Sequence, residues 1–538
     1  MAVVSCTGTD PAIGGGLDKE DRDFDVSVTS TDAGGGSTTD TNAPDVDDVE
    51  DASTNDAPGD ALADGPVIVP PDGGLDFAVH MSQNLGSPPF AAVAFDHSGN
   101  VIAGVNFNVT ATLGNKSMNP DGGNYDVGIV KLTPAGVPIW MSAFGGSGDD
   151  NVQAVAAAPN GDIYVVGSFN SSALGGTSIA HRGNGQYDAY VVRIDGTTGA
   201  VVDAVDLVSN TGNGSCTSVA VNATRLVVGC NISGDASVRD AAGNDMKKTA
   251  VGTSNNLFVA MLDPTTLRET WSQSIGGDAN DRLAGLALGA TGDVYVGGQF
   301  ESTMLSSSNG AIGIPRKSSG GAGIGDSFAL RLVAASGLPL WGKSFGTGDA
   351  SDNHAYVRGV AVTSNGDMLL AGELKGSIMI GATSLDMPDG GGGGGDAFVV
   401  RLKGGDGTTQ WVTAFGGASY DSAYAVAPGP NDGLYLGGGY SSTGLKMDSF
   451  ALSDPLGTTS NLLSARLDSA GKPLWANGVT TASASAYVQG STASSDPDSG
   501  AVIFAGTMKG FVNLGDNMPV FSHLDGGGYD FFAVKRRP

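Results

Sequence analysis

The sequence predicts an all-β fold built as a ring of repeats, and three observations carry the prediction. The first is self-similarity. All five tryptophans occupy one place in a Gly-x-x-x-Trp-x-x-x-apolar pattern: Gly136…Trp140…Phe144, Gly337…Trp341…Phe345, Gly407…Trp411…Phe415, Gly471…Trp475…Val479, and Trp271…Ile275 with Leu267 in the glycine place. Gly199…Asp203…Leu207 fits with an aspartate for the tryptophan, and Met81…Leu85 is read as a degenerate seventh copy. The spacings between copies are 59, 63, 68, 70, 70 and 64 residues. The second observation is composition: the apolar runs are short, rich in Val, Ile, Tyr and Phe, and bounded by Gly, Asn, Asp and Pro, which is strand chemistry. The third is that no long run shows a 3.6-residue period, so helix should be scarce. One antiparallel sheet cannot bury both faces, and radial stacking of seven such sheets does. The expectation is a seven-bladed β-propeller of four-stranded antiparallel blades.

Each unit supplies four strands, a to d. Strands a and b are two apolar runs around a turn, the second closing on glycine, as in Gly161-Asp162-Ile163-Tyr164-Val165-Val166-Gly167 and Gly292-Asp293-Val294-Tyr295-Val296-Gly297-Gly298. Gly229, Gly372, Gly438 and Gly506 are assigned the same closing place, with Val105 there in the first unit. Strand c carries an acid or amide, an aromatic two residues later and a base five later. Asp188–Tyr190–Arg193, Asp326–Phe328–Arg331 and Asp396–Phe398–Arg401 are clean copies, and Asn256–Phe258–Met261 lacks the base. Strand d carries the tryptophan. Because strand side chains alternate with a period of two, Trp and the apolar residue four later share a face, which reads as packing between blades for Trp140, Trp271, Trp341, Trp411 and Trp475. The repeats begin with a d strand near residues 76–85 and end with a c strand near 530–535, so the first strand is expected to pair with the last and close the ring.

The division of the chain follows. Residues 1–6 read as a remnant signal, 7–74 as a disordered acidic linker and 75–538 as the propeller. Residues 1–76 hold 18 acids against 2 bases, whereas the whole chain holds 56 against 27 for a net charge of −29. Such a tail cannot bury enough apolar surface to offset chain entropy. The acidity argues against nucleic acid and anionic lipid surfaces as partners. Val3-Val4-Ser5-Cys6 matches the lipidation box of bacterial lipoproteins, although Met1-Ala2 is too short for a basic and an apolar signal region. The expectation is lipidation at Cys6 and an outer-membrane or cell-surface location, with a periplasmic or secreted protein as the alternative. Membrane contact would be through the lipid alone, since no apolar run is long enough to span a bilayer. Cys216 and Cys230 flank one a–b turn almost symmetrically, so a disulfide in an oxidising compartment is one reading and two small buried residues the other.

By this point the chain resembles a known family. The recurring Trp-x-x-x-Phe-Gly-Gly, Gly-Asp-x-Tyr-Val-x-Gly and Asp-Ala-Phe-Val-x-Arg-Leu are similar to the bacterial β-propeller repeat called SBBP. Trp140–Asp162–Tyr164–Gly167–Asp188 and Trp341–Asp367–Gly372–Asp396 run in its order. The resemblance covers residues 76–538 and is weakest in the third unit. It implies an exported, non-catalytic propeller and supplies no catalytic residues. A second resemblance, of Arg193-Ile194-Asp195-Gly196 and Arg466-Leu467-Asp468-Ser469 to quinoprotein-like propellers, implies a scaffold in outer-membrane assembly.

Function is expected on one face. The a–b and c–d connections are tight turns, whereas the b–c connections are long, at 170–187, 301–325 and 374–395, and the d–a connections are acidic. Loops on a rigid scaffold carry function, so a protein or glycan partner is expected on the b–c and d–a face of a monomer. Asp149, Asp150, Asp278, Asp281, Asp349, Asp352 and Asp421 recur in the d–a loops; calcium (Ca2+) is one reading, and turn capping is the favoured one. No other cofactor is expected. The five histidines, His80, His97, His181, His354 and His523, lack metal spacing. Gly342-Lys343-Ser344-Phe345-Gly346 lies within a d strand rather than at a nucleophile elbow, and Gly390–Gly395 is a flexible loop. The chain is therefore read as no enzyme. An acidic or histidine cluster at the central channel on the long-loop face would revive a hydrolase or lyase acting on glycans.

Overall fold

A computed structural model describes residues 74–538, apart from 86–90, 183–186, 210–211, 241, 253, 319–324, 347–353, 388–393, 453–459, 480–486, 511 and 513–528, together with the backbone of Val28–Ser30. The expected lipidation site Cys6 and the rest of the acidic linker lie outside the described residues. The chain forms a seven-bladed β-propeller. Blade I is Ala91–Phe95, Val101–Phe107, Asp126–Leu132 and Pro138–Phe144, paired antiparallel in that order as strands a to d. Blades II to VI follow at 150–209, 214–276, 281–345, 354–415 and 421–479 with the same order. Among the described residues the single helical turn is Pro430–Asp432. Strand a of each blade contacts strand a of the next, from I round to VII and back to I.

Ring closure is as expected. Blade VII takes strands a to c from Tyr487–Ser495, Val502–Lys509 and Tyr529–Arg536, and strand d from Leu75–Leu85 at the other end of the chain. The register corrects one detail. Phe77 faces Lys535 and Met81 faces Phe531, just as Trp140 faces Lys131 and Phe144 faces Val127. The seventh copy is therefore Phe77…Met81, not Met81…Leu85. Phe77 stands in the tryptophan place, and the ring of Phe77 presses on Gly136 of blade I. The backbone of Val28–Ser30 pairs with Phe77–Val79 as a further strand on the outer edge of this blade.

The seams between blades explain the repeat. Four of the five tryptophans lie across the c–d turn of the next blade, and the indole N–H of each donates to a turn carbonyl. Trp140 reaches Gly196 O at 3.2 Å, Trp271 reaches Ala334 O at 2.9 Å, Trp341 reaches Gly404 O at 2.8 Å and Trp411 reaches Ser469 O at 2.9 Å. The glycine of the pattern is the floor under that ring. At Gly337, with φ +67°, a Cβ would come within 2.5 Å of the Trp271 ring, so only glycine meets both demands. Trp475 makes no such bond among the described residues, because blade VII joins strands c and d from separate chain ends and has no c–d turn. The base of strand c serves the same junction: Lys131 Nζ donates to Gly196 O at 2.7 Å while pairing with Asp96 at 2.9 Å.

The II–III seam departs in a concerted way. Asp203 replaces the tryptophan, so the floor no longer needs glycine. Leu267 stands there instead, at φ 54° and 1% exposed. The turn carbonyl that would have taken an indole, Pro264 O, accepts from Tyr164 OH at 2.6 Å. On the tight-turn face above it lies a polar recess of about 520 Å³, bordered by Asp203, Asp263, Thr266, Arg268 and Glu269.

The long b–c connections also have a structural task. Several fold into small hairpins that pair with strand d of the preceding blade. Ala236–Arg239 joins Val201–Ser209 of blade II, Met304–Ser307 joins Glu269–Gly276 of blade III, and single bridges link Gly346 to Met379 and Gly416 to Lys446. The apolar motifs that mark these connections, such as Leu174 with Ile179 and Ile380 with Leu385, are buried. The elaboration of this face thus staples neighbouring blades as well as forming its rim.

Candidate functional site

One cleft stands out on the long-loop face, between blades V and VI. It encloses about 710 Å³ and is bordered by His354, Tyr356, Glu373, Lys375, Gly394 and Tyr420. Strands a and b of blade V are His354–Val362 and Met368–Lys375. Their pairing sets His354 opposite Lys375 and Tyr356 opposite Glu373, so these four share one face of the sheet.

Glu373 lies one place after the closing position of strand b, and that column is polar in six blades, Asn106, Ser168, Asn231, Gln299, Glu373 and Thr507, with Gly439 in blade VI. In two blades the residue bonds to strand a of the next blade. Asn106 Oδ1 accepts from Val152 N at 2.9 Å, and Asn231 Oδ1 accepts from Leu283 N at 2.8 Å. In blade V the column holds an acid, and it meets side chains instead. The Glu373 carboxylate accepts from the hydroxyls of Tyr420 and, at 3.4 Å, Ser422, both from blade VI. Arg358 Nη2 stands 3.3 Å from it and His354 Nε2 3.9 Å. Tyr424 OH completes the network 3.4 Å from Tyr420 OH. In the same cleft, His354 stacks on Tyr356 with centroids 4.1 Å apart, and the Arg358 guanidinium lies 5.7 Å from the same ring.

Two of these residues are positioned by bulges. Strand a carries an extra residue in blades II to VII, namely Gln153, Thr217, Ala284, Arg358, Tyr424 and Ser491. A bulge re-aims the side chain it inserts, and in blades V and VI that side chain joins the Glu373 cluster. Electrostatics follow from the burial. Desolvation alone would raise the Glu373 pKa, but the nearby His354 imidazole, the Arg358 charge and the bond from Tyr420 pull it down to about 2. Burial, the neighbouring Tyr424 and the Glu373 charge push the Tyr420 phenol far above its usual range.

The sequence-predicted sites fall elsewhere. Asp150, Asp281 and Asp421 are buried at the start of strand a, and each accepts from a serine hydroxyl beyond strand b: Ser171 at 2.6 Å, Ser302 at 2.7 Å and Ser442 at 2.6 Å. Burial raises the pKa of Asp150, and takes those of Asp281 and Asp421 up to about 6. Asp149 accepts from Tyr187 OH at 3.2 Å, and Asp278 from Thr303 N at 2.8 Å. Asp349 and Asp352 lie outside the described residues. Among the described residues no three His, Cys, Asp or Glu side chains are grouped to hold a metal ion. Cys216 and Cys230 face one another across strands a and b of blade III and are joined as a disulfide. Cys230, rather than Gly229, stands in the closing place, opposite Phe258. Ser344 donates to Pro315 O at 2.9 Å from within strand d. Of the histidines, His354 alone enters the cleft. His181 sits 3.9 Å from Asp188, His97 is exposed, the His80 side chain and His523 lie outside the described residues.

No family model matches the chain. The regulatory protein FlaEY of Caulobacter vibrioides is 27% identical over 302 residues, a match that takes in 54% of this chain and 29% of that protein. The chain thus spans less than a third of that relative's length. Among solved structures, the β-propeller domain of the trilobed protease from Pyrococcus furiosus matches with a TM-score of 0.37 and 9% identity over 82% of this chain and 98% of that one. The polysaccharide lyase Uly1 matches with a TM-score of 0.43 and 10% identity over 85% and 91%. At these identities neither is a guide to chemistry. The chain is a seven-bladed β-propeller whose blades follow one four-stranded repeat.

Proposed function

We propose that this propeller is an exported, non-catalytic binding scaffold of the bacterial cell envelope, and that it holds a protein or glycan partner in the V–VI cleft on the long-loop face. The Glu373 cluster carries the reading. It is the place where the polar column of strand b exchanges backbone-bonding amides for an ionised carboxylate tied to four side chains. Glu373 stays charged far below neutral pH and Tyr420 stays protonated far above it, so neither is poised to exchange a proton near pH 7. Groups fixed in that way orient a ligand rather than turn it over. The regulatory name of the Caulobacter relative accords with a scaffold role. Lipidation at Cys6 would anchor the chain to the outer membrane.

The same cluster supports a second reading. An acid, a histidine and two tyrosines gathered in a cleft on the long-loop face are what a propeller hydrolase or lyase acting on glycans would use, and that reading requires turnover that Glu373→Gln abolishes. A quinoprotein-like scaffold in outer-membrane assembly rests on the c–d turn sequences alone. The binding reading is tested by placing a photo-crosslinking amino acid at Ser419, beside the cleft, or at Thr265, beside the II–III recess, in full-length protein expressed in a Gram-negative host. The reading expects discrete adducts from Ser419 and none from Thr265. Equal labelling, or adducts at Thr265 alone, would contradict it.

A further inference from the structure

We infer that the VI–VII seam, where the ring closes, is a carboxylate-binding site with Arg466 and Trp475 as its donors. The site lies apart from the V–VI cleft and does not depend on it. It emerges from what the base of strand c meets in each blade. At three seams one turn carbonyl accepts from both the base and the tryptophan of the preceding blade: Gly196 O from Lys131 and Trp140, Gly404 O from Arg331 and Trp341, and Ser469 O from Arg401 and Trp411. Each of these bases also has an acid. Lys131 pairs with Asp96 at 2.9 Å, Arg331 with Asp293 at 2.6 Å and Arg401 with Asp367 at 2.9 Å. Asp293 and Asp367 stand immediately before strand b. In blade VI that place, ahead of Leu434–Tyr440, holds Gly433, so the acid is lost. Blade VII has no c–d turn, so the shared carbonyl is lost as well.

Arg466 and Trp475 face one another across strands c and d, and they are 5% and 4% exposed. Among the described residues neither Arg466 Nε nor Trp475 Nε1 has a hydrogen-bond partner, and Arg466 has no acid. Its guanidinium has the Tyr435 ring, 5.9 Å away. A buried guanidinium without a counter-charge is strongly destabilising, and a buried N–H without an acceptor adds to that. In three other blades the same pair of positions reaches one sp2 oxygen, so the place is cut for such an oxygen and here also calls for negative charge. A carboxylate supplies both in one planar group, which suits a guanidinium fork beside an indole N–H. The run Lys535-Arg536-Arg537 adds a positive field at the same edge. Two sources could bring the group. The shared carbonyl lies three residues after the base, at Gly404 after Arg401 and Ser469 after Arg466, and the same count from Lys535 reaches Pro538. Pro538 lies beside Gly500 of the a–b turn, as Gly404 lies beside Gly366, yet it takes neither donor. The carboxylate is therefore one presented at Pro538 or one brought from solution.

The test reads the indole N–H signals by NMR in the full chain, its tryptophans labelled with nitrogen-15, with Trp475→Phe assigning the Trp475 signal. Sodium acetate is titrated at pH 7 against sodium chloride of equal ionic strength, in the chain as it stands and in a chain extended by Gly-Ser after Pro538. Acetate should move the Trp475 signal downfield and saturably. The signals of Trp341 and Trp411, whose N–H groups already hold a carbonyl, should stay fixed. Arg466→Gln should weaken the response at least about ten-fold, the share of one charge-assisted contact. Thermal unfolding checks that this variant is folded, and the acetate and chloride arms need no variant. A response in the unextended chain assigns the carboxylate to a ligand from solution. A response only after extension assigns it to Pro538, whose carboxylate the extension moves away. No response in either chain, a response that chloride reproduces, or one that a folded Arg466→Gln variant retains in full would overturn the site.

Discussion

Two seams of the ring depart from the repeat, and they depart in opposite senses. At II–III the tryptophan is lost, and its neighbours adjust: Leu267 takes the place of the glycine floor, and Tyr164 takes the stranded carbonyl at 2.6 Å. The change is confined to the tight-turn face, and every consequence is a packing consequence. At V–VI the tryptophan seam is intact, with Trp411 on Ser469 O at 2.9 Å, and the departure is on the other face. There an amide-type position becomes Glu373, and bulged residues of two blades turn toward it. One seam has been repaired and the other has been equipped. A deviation absorbed by its neighbours is a record of packing. A deviation that gathers charge and leaves an aromatic ring exposed is a candidate for function.

The largest effect should come from breaking the V–VI cluster. Glu373→Ala leaves the Arg358 guanidinium, its side chain 14% exposed, without its counter-charge, and should cost about 4 kcal/mol in urea unfolding. A loss under about 1 kcal/mol would mean that the cluster is solvated and not a fixed unit. Next comes blade III, beside the repaired seam. Its disulfide spans a sequence separation of 14 and lies where other blades set glycine against strand a, so Cys216→Ser with Cys230→Ser should cost about 3 kcal/mol. Unchanged stability would assign that bond no structural role.

The repair itself is open to a double-mutant cycle. Asp203→Trp alone should clash with Leu267, and Leu267→Gly alone should leave a void, each destabilising by about 2 kcal/mol. Together they rebuild the common seam, so the pair should couple by at least about 2 kcal/mol. Additive losses would show that the two substitutions are unrelated. The smallest effect is on pH dependence. Burial takes the pKa values of Asp126, Asp281 and Asp421 up to about 6, and an unfolded aspartate ionises near 4. Between those values the folded state holds the extra protons, so this share of stability falls as pH rises. Glu373 works the other way: lowered to about 2, it contributes fully above about pH 4.3 and is lost as pH drops toward 2. Thermal unfolding from pH 3 to 8 should therefore peak near pH 4 to 5, and Glu373→Gln should flatten the acid limb alone. A maximum above pH 7 would contradict these environments.

The contrast also explains what could be read from the chain. The fold was legible because seam packing repeats: Trp140, Trp271, Trp341 and Trp411 do the same thing in four blades, and glycine appears wherever a ring lies over it. The closing strand was legible for the same reason, yet its register was misread by four residues. Met81…Leu85 imitates the pattern, and only pairing against Lys535 and Phe531 shows that Phe77…Met81 is the true copy. The V–VI cluster left a fainter trace. Glu373 is visible as the one acid in its column, but its partners arrive by folding. Tyr420 comes from 47 residues away on the next blade, and Arg358 is aimed by a bulge that no local motif announces. The long b–c connections were read as free elaboration because their use as staples depends on which d strand lies beside them.

The account's central claim is that the equipped seam binds and the repaired seam does not. Photo-crosslinking of the full-length protein in a Gram-negative host, from Ser419 beside the V–VI cleft and from Thr265 beside the II–III recess, tests it most directly. The account predicts discrete adducts from Ser419 and none from Thr265. Adducts at Thr265 alone, or equal labelling at both positions, would contradict it.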